Sequence, residues 1–179
     1  MNMRIVPEHL MTADLDGEIR RGLCACFPND IAVFSQSRAW HESGPAFSAV
    51  LQDGPAVIAH TGVVDRTIDV DGQPVRAAGV QNVYVLPKHR RKGYVDEVMN
   101  AAMREAGRQG FDCGLLFCLE VLVKVYARSG WRLLENVETT CLSDTGVDES
   151  LPPYNLAMWY PLARTELAAR RIHLRGRDW

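Results

Sequence analysis

The chain has 179 residues, 47% apolar and 23% charged, with a formal net charge of −2. That length gives room for one domain with a substantial core. The near-balanced charge excludes a protein drawn as a whole to nucleic acid or to anionic membrane. Five cysteines, at 24, 26, 113, 118 and 141, form no CxxC pair and are odd in number. This argues against a disulfide framework or a zinc site, and for reduced thiols packed as small apolar residues in a cytoplasmic protein. The start, MNMRIVPEHL, lacks the apolar stretch of a signal peptide, and no 18-residue apolar run is present to span a membrane.

Residues 3–10 read as a short strand. Residues 12–27 then read as a helix with Thr12 or Asp14 as N-cap, because Leu15, Ile19, Leu23 and Cys26 recur at helical spacing. From Pro28 to Pro45 periodicity is weak, which predicts a loop or broken helices of the kind that lines a site. Strands are expected at 47–52, 56–70 and 74–86, joined by Asp53-Gly54-Pro55 and by Asp71-Gly72-Gln73, the second a strong hairpin signal. The spacing of Val95, Val98, Met99, Ala102, Met103 and Ala106 predicts an amphipathic helix, and Gly110 stands just past its end. A buried strand at 113–119, a short helix at 121–129 closed by Gly130, and a strand at 131–135 follow. Residues 137–144 and 155–163 are expected to finish the sheet, with a Pro-rich loop between them. Residues 163–179 read as a basic, partly helical tail. The sum is one α/β domain over 1–179, a mostly antiparallel mixed sheet of about six to seven strands flanked by helices.

The stretch VYVLPKHRRKGYV, residues 83–95, needs a separate explanation. Lys88, His89, Arg90, Arg91 and Lys92 could form a nucleic-acid patch, a solvated loop, or a cradle for a phosphorylated cofactor. The net charge and the lack of interleaved aromatic residues speak against nucleic acid, and a local cluster suggests a local anion. A helix N-terminus supplies free amides and partial positive charge for a phosphate, and Gly93 lets backbone approach closely.

A strand running through a basic turn into an amphipathic helix resembles the GNAT superfamily of acyl-coenzyme A transferases. The signature Gln/Arg-x-x-Gly-x-Gly/Ala is matched by Arg90, Arg91, Lys92, Gly93, Tyr94 and Val95, with Val95 departing from the small residue preferred there. The resemblance implies acetyl-CoA as cofactor. Its pyrophosphate would sit against Arg90 to Val95, and its pantetheine would pair with the backbone of Val83, Tyr84 and Val85. A second family element is similar to Leu122–Tyr126 followed by Gly130 and Trp131, and it implies that Tyr126 is the general acid. Four stretches are similar to the aminoglycoside 2′-N-acetyltransferases: TADLDGEIR, IAHTGVVDRTIDVDGQPVRAAGVQNVYV, VYARSGW and the final Asp178-Trp179. SRAWHESGPAF and IAHTGVVDR also resemble the rhizobial nodulation acyltransferases.

These resemblances imply a homodimeric antibiotic-resistance enzyme acting on an amino sugar, with kasugamycin one atypical possibility. Substrate contacts are then expected from Asp30, Gln81, Asn82, Asp148, Glu149, Asp178 and Trp179, with the tail from 160 closing the site. Gln81 stands where the similar enzymes carry a glutamate base, so as a catalytic residue it can only orient substrate or water. Replacement bases are Asp30, Glu120, Asp148, Glu149 and the terminal carboxylate of Trp179. The alternatives are an N-acyltransferase for a nodulation-factor-like sugar, a polyamine or a protein N-terminus, and a non-catalytic acyl-CoA-binding module. His41, His60, His89 and His173 lack ligand spacing, so no metal is expected.

Overall fold

The computed structural model describes all residues from Met1 to Trp179. Strand β1 (Asn2–Pro7) leads to Thr12, whose hydroxyl oxygen accepts from the Leu15 amide and caps helix α1 (Ala13–Cys26). A four-residue helix α2 (Ile31–Phe34) is followed by the antiparallel strands β2 (Phe47–Asp53), β3 (Ala56–Val70) and β4 (Gln73–Val85). Helix α3 (Tyr94–Arg108) then crosses over to β5 (Cys113–Cys118), which lies parallel to β4. The remaining elements are α4 (Glu120–Ala127), β6 (Arg132–Leu133), β7 (Glu138–Leu142), β8 (Asp148–Ser150), β9 (Leu156–Pro161) and β10 (Arg171–His173).

All ten strands join one sheet, ordered β6-β9-β5-β4-β3-β10-β7-β8, with β2 and then β1 added at β3. Strand β3 is long enough to serve two partners along one edge: its first half pairs with β2 and its end with β10. Side chains that alternate across the sheet divide the core. On β2, Phe47, Ala49 and Leu51 pack with the buried stripe of α3, from Val98 to Ala106. Val50, between them, packs with Leu15, Ile19 and Leu23 of α1 on the opposite face. A third cluster joins Ile68, Val75, Leu115 and Trp159 to Leu167, Ile172, Leu174 and Trp179 of the C-terminal segment.

That segment corrects two expectations. The sheet has ten strands, two beyond the eight stretches read as strands and more than the six to seven expected of the sheet, and residues 163–179 form no helix. The Asp71-Gly72 turn takes positive φ at both residues, and the Asp71 carboxylate accepts from the amides of Arg170 and Arg171. Those amides are thereby held for a strand, and the helix propensity of Glu166–Ala169 loses to the burial of Ile172 and Leu174 between β3 and β7. β8 in the Pro-rich loop is the other addition. The apolar stretch 155–163 lies inside the sheet between β5 and β6, with Met158 and Trp159 buried in the chain's own cores, so its hydrophobicity calls for no second chain. Of the five thiols, Cys113, Cys118 and Cys141 are buried and Cys24 and Cys26 half-buried. No helix is long and apolar enough to cross a membrane.

Candidate active site

The cleft that matters begins where two parallel strands part. β4 and β5 pair only from Ala77 to Gly79 against Cys113 to Leu115. Beyond this point β4 carries an extra residue: Asn82 and Val83 stand opposite Thr61 of β3, and Asn82 has φ 55°. A bulge of this kind bends its strand and ends regular pairing. It is fixed from both sides. The Asn82 amide donates to the Arg38 carbonyl at 2.6 Å, and the His60 ring bonds the Asn82 carbonyl at 2.9 Å and the Ser48 hydroxyl at 3.1 Å. Burial lowers the His60 pKa to about 4, so this imidazole stays neutral with both nitrogens engaged, and it is a strut rather than a base.

A cavity of about 380 Å³ fills the gap, walled mainly by apolar side chains. Val80 to Val83 of β4, Leu116 to Cys118 of β5, Leu119 at the N-cap of α4, Leu122 and Tyr126 of α4, and Trp179 face it. β4 has no strand partner on this side past Gly79, so its backbone offers hydrogen-bonding groups to an extended ligand. Of the three residues expected to pair by their backbone, Val83 lines the cavity and Tyr84 and Val85 do not. The Tyr84 ring is buried on the other face against α1, at a spot where a Cβ on Gly22 would come within 2.3 Å of it, and Val85 is buried in the core with α3.

The same strand runs into the basic turn. Arg90 is extended and its guanidinium donates to the Val85 carbonyl at 3.2 Å, while Arg91 and Gly93 take φ of 63° and 83°. Gly93 caps α3 without any side-chain acceptor, which leaves the first-turn amides free. Lys88, Arg91 and Lys92 are exposed around them. Val95, which departs from the signature, is half-buried and packs against the core. Asp96 is also committed elsewhere: its carboxylate accepts from the Ser129 hydroxyl at 2.6 Å, tying α3 to the end of α4.

Tyr126 reaches the cleft from α4 beside Cys118. Burial pushes its phenol up to about 12, so it remains protonated across the working pH range. Trp179 is no frayed end. It is 6% exposed, its indole lies over Gly79 where a Cβ would come within 2.4 Å, and the Arg66 guanidinium sits 5.0 Å from the ring centroid. The indole Nε1 is buried without a partner.

A second cavity of about 720 Å³ shares Trp40 and Asn155 with the first. It is polar, lined by His41, Ser143, Asp144, Glu149, Tyr154, Arg177 and Asp178 among others. Of the acids expected from the sequence, Asp30 faces the apolar cleft, and Glu149 and Asp178 face the polar cavity. Two lie outside both. Asp148 is turned to His173, 2.9 Å from its Nε2, and Glu120 is exposed at the start of α4.

Gln81 is 4% exposed and its amide is fully used. Its Nε2 donates to the Ser43 carbonyl at 2.6 Å, and its Oε1 accepts from the Trp40 amide at 3.0 Å and from the Asn82 amide at 3.3 Å. It thus clamps residues 40–43, whose His41 was weighed from the sequence only as a metal ligand.

A family description for the acetyltransferase (GNAT) domain matches residues 18–134. Among solved structures, the chain is similar to the GNAT-family N-acetyltransferase YhbS of Escherichia coli in complex with CoA. The TM-score is 0.67 and the identity 15%, over 97% of this chain and 89% of that one. It is also similar to a GNAT-family acetyltransferase of Brucella melitensis in complex with acetyl-CoA, at TM-score 0.56 and 18% identity, over 73% and 83% of the two chains. A GCN5-related N-acetyltransferase of Kribbella flavida matches at TM-score 0.56 and 16% identity, over 76% of this chain, which spans about a third (34%) of that protein's length. At these identities the likeness establishes the fold; the family match covers most of the chain and takes in the parted strands, the Arg90–Val95 turn and Tyr126. The chain belongs to the GNAT family of acetyltransferases.

Proposed function

We propose that the protein transfers an acetyl group from acetyl-CoA to a primary amine of a cationic small molecule, by direct attack while both are bound. The observation that carries this reading is the joining of three parts. An apolar cleft lies along the strand that leads into the basic turn, and it shares Trp40 and Asn155 with a cavity bearing Asp144, Glu149 and Asp178.

The backbone of Val83 to Val85 would hold the pantetheine arm as an added strand, and apolar walls suit its methylenes and the acetyl group. The free amides after Gly93, with Arg90, Arg91 and Lys92, would hold the phosphates. Free backbone donors near Val83 would polarise the thioester carbonyl. Tyr126, protonated throughout, would give its hydrogen to the departing sulfur. An acid-bearing polar cavity suits a hydroxylated cation. We therefore infer an amino-sugar acceptor, an aminoglycoside acetylated at a 2′-type amine or kasugamycin.

A screen of aminoglycosides, kasugamycin, polyamines and peptide N-termini, read by thiol release from acetyl-CoA, tests this. Release is expected with at least one amino sugar. Replacing Arg90, Arg91 and Lys92 together by alanine is expected to weaken acetyl-CoA binding by about 10²-fold, from the loss of charge-assisted hydrogen bonds. Release with polyamines or peptides alone would overturn the amino-sugar assignment, and no CoA binding at millimolar concentration would overturn the acetyl-transfer reading itself.

A further inference from the structure

Acetyl transfer needs a group that takes a proton from the ammonium, and Gln81, buried beside the cleft with its amide engaged, is not such a group. The turn that Gln81 clamps supplies one. The Ser43 amide donates to the Trp40 carbonyl at 2.8 Å, closing a four-residue turn whose central residues, His41 and Glu42, have φ of 42° and 64°. Two successive left-handed residues are the geometry of a type I′ turn, normally made by Asn-Gly. A histidine and a glutamate there carry backbone strain, which persists only where the surroundings impose it.

The surroundings do so from three sides. Gln81 binds both ends of the turn. The Ser43 hydroxyl donates to the Asp178 carbonyl at 2.8 Å and accepts from the Arg66 guanidinium at 2.9 Å. The Asp178 carboxylate bonds His41 Nδ1. The imidazole is thereby aimed with Nδ1 on an acid and Nε2 left for another partner, while its side chain, 44% exposed, faces the polar cavity. Trp40, the preceding residue, borders the apolar cleft as well.

We propose that His41 is the general base of this enzyme, with Asp178 and Gln81 as the residues that position it; the proposal rests on the acetyl-transfer reading. His41 Nε2 takes one proton from the substrate ammonium. The freed nitrogen lone pair attacks the thioester carbon, forming the C–N bond and an oxyanion. Collapse breaks the C–S bond, the sulfur takes the Tyr126 proton, and the phenolate recovers one from the nitrogen. One proton is left on His41 for release to water, and the products are the amide and CoA thiol. The charged groups facing His41 are Asp178 and Glu42, Arg177 of the C-terminal segment, Arg66 of β3, and Asp144 and Glu149 of the β7–β8 hairpin. Arg177 pairs with both Glu42 and Asp144, which leaves Asp178 as the acid directly on the ring.

The test uses the full chain, acetyl-CoA, and tobramycin, kasugamycin or concentrated glucosamine as acceptor. His41→Ala is expected to lower kcat about 10²-fold at pH 7, the size of one general base. Activity should return as pH approaches the pKa of the amine, and added imidazole should restore part of the rate. Acetyl-CoA titration and thermal unfolding should match the parent. Asp178→Asn is expected to cost less, lowering kcat with the KM for acetyl-CoA unchanged, since an asparagine can still orient the ring but brings no charge to balance the imidazolium. A His41→Ala enzyme with full kcat and no response to imidazole overturns the proposal while leaving acetyl transfer intact. A parent chain that binds CoA yet acetylates none of these sugars, nor any polyamine or peptide N-terminus, overturns both.

Discussion

Tyr126→Phe should lower kcat by about 10²-fold with little change in acetyl-CoA binding. The figure is that of one general acid removed. The position leaves the phenol few other tasks: it faces the apolar cleft beside Cys118. Its raised pKa would keep the proton in place until the thiolate departs beside it. Loss of the hydroxyl removes no packing, so the variant should unfold at the parent's temperature. Steady-state kinetics with a calorimetric titration of acetyl-CoA checks this. An unchanged kcat would make Tyr126 a wall of the cleft and nothing more.

Gln81→Glu should also cost about 10²-fold in kcat, the opposite of what a carboxylate base at this position would do. An ionised glutamate cannot donate to the Ser43 carbonyl as the Gln81 Nε2 does at 2.6 Å, and it would set a buried negative charge against that oxygen. An unsatisfied buried acceptor costs about 1–3 kcal/mol, more when charge is involved. The strained turn at His41 and Glu42 would relax, and small displacements of a reacting group are worth losses of this size. Thermal unfolding should fall along with the rate. A faster enzyme, with its activity extended to lower pH, would show that residue 81 and not His41 handles the proton.

What the sequence allowed and what it hid divide along physical lines. The strands from Phe47 to Val85 and the helix after Gly93 follow from period-2 and period-3.6 patterns that the core then satisfies, and they lie where expected. The basic turn was visible because glycine and clustered cations are local signals. β10 was hidden because its pairing depends on Asp71, about 100 residues away, capturing the amides of Arg170 and Arg171. His41 was hidden for a similar reason. Nothing local marks it, and its setting comes from Gln81, Arg66 and Asp178, which are far apart in sequence. Asp148 shows the converse, an acid placed by analogy in the substrate pocket that the fold turns toward His173.

The most direct test of the account is an amide NMR map of the full chain titrated with CoA. The account predicts saturable shifts at Val83 to Val85, along the free edge of β4, and at Arg91 to Asp96, where the helix amides are uncapped. The loop shifts should weaken with salt, while the hairpin tip at Asp71–Gly72 stays unmoved. Shifts confined to residues outside the cleft and the basic turn, or none at millimolar CoA, would contradict it.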